Sequence, residues 1–149
     1  MEREFELKSI KRDALLGADL RYIVTETDDD GVSITREMKV KDARPLHEDL
    51  VSLFEDDLSE LVGKYFELAE FGATGISFSG KDENVGCVIQ GIIYTPWGDM
   101  KIKLPRIKFL ASDAPLCAEL TVIQQKIISE VDAYLFDGKC ADLEVFDAA

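Results

Sequence analysis

Residues 85–110, VGCVIQGIIYTPWGDMKIKLPRIKFL, decide the fold. Val85 to Pro96 reads as one long strand. Pro96-Trp97-Gly98-Asp99 forms a tight turn into a second strand. In that strand Ile102 and Leu104 share one parity, while Ile107 and Phe109 share the other. The switch falls at Pro105, which cannot donate to a ladder, so a bulge or an edge strand is expected there. Pro115 then opens a helix whose apolar stripe runs from Leu116 and Leu120 to Val131 and Leu135, with Gly138 as its stop.

Upstream, the chain follows the same order. Residues 4–12 and 18–27 read as strands, Asp28-Asp29-Asp30-Gly31 as a turn, and Val32 to Val40 as a half-buried strand. Pro45 opens a helix carrying Leu46, Leu50, Leu53, Phe54, Leu58, Leu61, Val62 and Tyr65. ATGISFSGK, residues 73–81, supplies the first strand of the second half, followed by a KDEN turn. An ungapped offset of 70 residues aligns Ser9 with Ser79, Lys11 with Lys81, Pro45 with Pro115 and Leu50 with Leu120. The sequence therefore predicts an α+β fold of two βββα halves. They form a mostly antiparallel sheet of about six strands, with two helices on one face. Residues 1–138 form a single domain, with pseudo-repeats 1–72 and 73–138, and residues 139–149 an acidic C-terminal tail.

Thirty acidic residues oppose seventeen basic ones over 149 positions, a formal net charge of −13. The excess is not evenly spread. Residues 1–44 carry −2, 45–72 carry −7, 73–111 carry +2 and 112–149 carry −6. The strands are neutral as a group, and the helices and tail hold the surplus. Net charge alone argues against wrapping duplex DNA, but not against a local nucleic-acid site. Arg36, Lys39, Lys41 and Arg44 cluster in one half, and Lys101, Lys103, Arg106 and Lys108 in the other, with Tyr94 and Trp97 just before them. Such a pattern is either the solvated face of an ordinary sheet or a surface that holds backbone phosphates and stacks bases.

Other chemistry finds little support. No apolar run approaches the roughly 20 residues of a membrane span, and the N-terminus lacks a signal core. Cys87, Cys117 and Cys140 include no CxxC pair, which predicts reduced thiols in a cytoplasm. His47 is the lone histidine, so neither a metal site nor a histidine-based nucleophile is suggested. Gly75–Lys81 satisfies GxxxxGK, but Asp82 follows where Ser or Thr should bind magnesium. Asp28–Gly31 lacks the spacing of a calcium loop. No catalytic residue, cofactor or metal is expected, and the protein reads as non-enzymatic.

The tail carries one motif. Asp142 to Phe146, DLEVF, resembles the bacterial sliding-clamp-binding pentapeptide QL(S/D)LF, with Asp142 in place of Gln and Val145 in place of Leu. Leu143, Val145 and Phe146 would be the docking anchors; the other reading has Phe146 folding back onto the core. Tyr134 to Phe146, YLFDGKCADLEVF, and the earlier TPWGDMKIKLPRIKF resemble the last third of a family of small phage and prophage proteins that end in a YLFEGKRAQLxLF-like pattern. The resemblance implies a protein of the bacterial host cytoplasm, near replication or recombination. The expected function is an accessory role in phage or prophage DNA metabolism. The open sheet face would bind a protein partner or single-stranded nucleic acid, and self-association is open through the sheet edges. The alternative is an acidic inhibitor or DNA mimic that acts on a host factor through its helices.

Overall fold

In the sheet, strands alternate apolar and polar residues, so each has one face to bury. A computed structural model of the chain describes residues 2–12, 17–68, 70–81, 84–109 and 114–140. The strands are β1 (Glu2–Arg12), β2 (Ala18–Thr27), β3 (Ser33–Asp42), β4 (Phe71–Ser79), β5 (Gly86–Thr95), β6 (Gly98–Lys103) and the short β7 (Ile107–Lys108). Between β3 and β4 runs a helical arm of α1 (Glu48–Ser52), a π-helical turn (Leu53–Leu58) and α2 (Ser59–Phe66). The long helix α3 (Ala114–Phe136) closes the second half.

The sheet order is β3-β2-β1-β4-β5-β6, with β7 also on β5, and all pairings are antiparallel. Two three-stranded meanders thus meet along β1 and β4. That seam is short, pairing Ser9 with Ser77, Ile10 with Ile76 and Lys11 with Gly75. This is the expected α+β fold with two βββα halves and the helices on one face. Leu7, Ile10, Leu20, Tyr22, Ile76 and Ile89 meet Leu50, Phe54, Leu58, Leu120, Ile127 and Val131 in one buried cluster.

The two halves match in detail, although not at the ungapped offset of 70. Both first strands carry a bulge, between Leu7 and Ser9 and between Ala73 and Gly75, so Leu7 corresponds to Ala73 and Ile10 to Ile76. The buried face of β2, Ala18-Leu20-Tyr22-Val24, corresponds to Cys87-Ile89-Gly91-Ile93. The Ser9/Ser79 and Lys11/Lys81 identities are therefore not structural equivalents. In the helices the offset of 70 does hold at first, for Leu50/Leu120 and Leu53/Ile123. Then the π-helical turn adds one residue, and Leu58, Val62 and Tyr65 match Ile127, Val131 and Tyr134 at 69.

Local expectations also shift. Helix α1 starts at Glu48, not at Pro45; Leu46 instead bridges to Cys140, and His47 is the N-cap, its Nδ1 accepting from Asp49 N–H at 3.1 Å. At Pro105 the ladder breaks as expected, and the chain steps from β6 back onto β5 through β7. Gly138 ends α3 with φ +71°, and Lys139 N–H reaches back to Ala133 O at 3.1 Å.

Candidate nucleic-acid interface

Residues directly opposite in an antiparallel pair share a face, so the register gives the composition of the side the helices leave uncovered. Across its middle run Lys39 and Lys41 from β3, Asp19 and Arg21 from β2, Ser9 and Lys11 from β1, Ser77 from β4, Val88 and Gln90 from β5, and Lys103 from β6. Farther along β5 and β6, Ile92 faces Lys101, and Tyr94 faces Asp99. The surface is concave. It holds a depression of about 630 Å³ floored by Ser9, Ser77 and Val88, and an adjoining one of about 710 Å³ between Lys11, Gln90, Tyr94 and Lys101.

Lys8, Lys11, Arg21, Lys39, Lys41 and Lys103 line the first depression together with Asp19, so its described lining is net basic. Lys8 pairs with Glu6 at 3.1 Å and Arg21 with Glu37 at 3.6 Å. Lys11, Lys39, Lys41, Lys101 and Lys103 form no ion pair with any described residue. Asp19 lies in register between Lys11 and Lys41, and its Oδ1 is enclosed without a hydrogen-bond partner among the described residues. Unpaired cations gathered over a low-dielectric floor concentrate field lines and attract a polyanion.

The helical side has the opposite sign, but it is not a bare array of carboxylates. Lys139 reaches Asp49 at 2.9 Å and Glu130 at 2.8 Å, Lys64 reaches Glu119 at 3.1 Å, and Arg12 reaches Glu55 at 3.0 Å. Lys139 holds the Asp49 carboxyl below its ordinary range, and Tyr65 with Lys64 does the same for Glu119.

Of the residues singled out in the sequence, Lys39, Tyr94, Lys101 and Lys103 come together on this face. Lys108, opposite Gly86, shares it at the far end of β5. Trp97 stands at the β5–β6 turn with 96% of its surface free. The Tyr94 ring lies across Gly72, where a Cβ would come within 2.9 Å of its Oη. Two expectations fail. Arg36 faces Val24, on the side of the sheet that carries the core, and its side chain is exposed there. Arg106 turns into a clasp: its Nε donates to Ser79 Oγ at 3.0 Å, and its Nη2 donates to Ser79 O at 2.9 Å and to Asn84 O. Lys8, Lys11 and Arg21 are the residues missed. Their signal is the polar parity of β1 and β2, but only the central place of β1 puts them between the two lysine groups.

Leu143, Val145 and Phe146 lie outside the described residues. Within the GxxxxGK segment, Gly75 to Ser79 are strand, paired to β5. Burial pushes the Cys87 thiol up to about 12, and Cys117 Sγ donates to Lys108 O at 3.3 Å. Among the described residues no three histidine, cysteine or carboxylate side chains gather as metal ligands, and no described helix is long and apolar enough to cross a membrane.

No family model, curated protein or solved structure matches this chain. Its function must be argued from the site.

Proposed function

We propose that this is a non-enzymatic accessory protein of phage or prophage DNA metabolism, in the bacterial host cytoplasm, whose uncovered sheet face binds single-stranded nucleic acid. One observation carries this reading: five lysines without a carboxylate partner among the described residues line a concave sheet face, while the acidic surplus sits on the opposite layer. Lysines supply phosphate contacts as point charges. The small serine side chains of the floor let a backbone approach, and Tyr94 and Trp97 offer π-faces at one end, each stack contributing roughly 1–3 kcal/mol where a base is seated. The stacking faces favour single strands, whose unpaired bases are free to seat on them. The ion pairing of the helical carboxylates favours this reading over that of a DNA mimic.

The test is filter binding of a single-stranded oligonucleotide at low salt. The wild type should bind, and a Lys39/Lys101/Lys103→Ala triple variant should lose tenfold or more in affinity. No binding by the wild type would sink the proposal. The tail's Leu143, Val145 and Phe146 supply the anchor for a protein partner, the sliding clamp. A clamp pull-down undiminished by Phe146→Ala would remove that part alone.

A further inference from the structure

The two edges of the sheet differ. β6 has six residues, and Leu104-Pro105 takes the chain off its line, so that edge is short and capped by a residue without an N–H. β3 has ten residues, no proline and no bulge in its pairing with β2. Asp28 N–H donates to Val32 O at 2.9 Å across the hairpin, so alternation makes Ile34, Arg36, Met38 and Val40 the residues that bond to β2. The N–H and C=O groups of Ser33, Thr35, Glu37, Lys39 and Lys41 therefore point out of the free edge.

We propose that β3 pairs antiparallel with β3 of a second copy of this chain, centred on Met38, to make one continuous sheet. The outward groups must meet outward groups, which leaves four two-fold registers that pair seven or more residues, centred on Arg36, Glu37, Met38 or Lys39. Three of them place Arg36, Glu37 or Lys39 directly against its own copy, a like-charge pair. The register on Met38 has none. It sets Glu37 against Lys39 of the second copy twice, Met38 against Met38, and Arg36 against Val40. Glu37 and Lys39 share the uncovered face, so the lysine-lined depressions of both copies lie on the same side of the joined sheet. The inference rests on edge geometry and charge pattern, and stands whether or not that face binds nucleic acid.

Light scattering after size exclusion, on the full chain without nucleic acid, tests it. The wild type should run at twice 16.6 kDa. Glu37→Lys alone and Lys39→Glu alone should each run as monomers, because each places like charges together twice. A mixture of the two should recover the dimer, because the facing pairs are again opposite. Each single variant should weaken self-association by about tenfold or more. A wild type that is monomeric throughout, a dimer that survives either single variant, or a mixture that stays monomeric overturns the proposal. Oxidative crosslinking of Met38→Cys fixes the register, since non-hydrogen-bonded partners lie at roughly disulfide distance. A dimer in which that cysteine does not crosslink overturns it too.

Discussion

Asp42, Arg44 and Tyr134 tie the end of β3 to the end of α3. Arg44 Nη2 bonds Asp42 Oδ2 at 2.7 Å, its guanidinium stacks 4.6 Å from the Tyr134 ring centre, and Tyr134 Oη donates to Arg44 O at 2.6 Å. The Arg44 hydrogen bond holds the Asp42 carboxyl below its ordinary range, while burial pushes the Tyr134 hydroxyl up. A depressed carboxylate contributes stability that is present above its unfolded value, near pH 4, and is lost as pH falls through its folded value. Asp42→Asn should therefore cost about 1 kcal/mol at pH 7, with Arg44 partly exposed, and less at pH 3. Urea denaturation at the two pH values measures the difference. Equal losses at both would contradict the assigned ion pair.

At the scale of elements, the π-helical turn is where the halves diverge. Its extra residue returns Leu58, Leu61 and Val62 to the core after Leu53 and Phe54, and leaves Glu55 and Asp56 in solvent. Ser59 completes the turn. Its Oγ donates to Phe54 O at 2.7 Å and accepts from Ala73 N–H at 3.0 Å, which fastens the helical arm to β4 beside the bulge. Ser59→Ala strands a buried N–H, so it should destabilise by roughly 1–3 kcal/mol. Thermal unfolding should show a lower midpoint, with oligonucleotide affinity unchanged. The periodicity of the sequence showed both helices, yet not this turn. A one-residue insertion shifts helical phase by 100°, and only the facing strands fix which phase is buried.

Across the whole molecule, charge is divided between layers, and that division sets the salt response. Displacing counterions at five lysine–phosphate contacts gives a slope of about −3.5 for log affinity against log salt on a single strand. Removing Lys101 and Lys103 together should flatten it by about 1.4. Arg106→Ala should leave the slope unchanged and instead lower the thermal midpoint, since Arg106 bonds Ser79 and Asn84 rather than facing the depression. Titrations at several salt concentrations separate these roles; a flattened slope for Arg106→Ala would return that residue to the interface.

Much of this was legible beforehand. Alternation in β2 and β3, the proline in the first turn of α3, the break at Pro105 and the charge difference between strands and helices are local properties, and sequence alone determines them. Period two tells which residues of a strand share a face. It does not tell which strands are neighbours. Only the tertiary structure placed β1 and β4 at the centre, drew Lys8, Lys11 and Arg21 between Lys39 and Lys103, and turned Arg106 into a clasp. Those outcomes depend on pairing between residues distant in the chain, which no local pattern encodes.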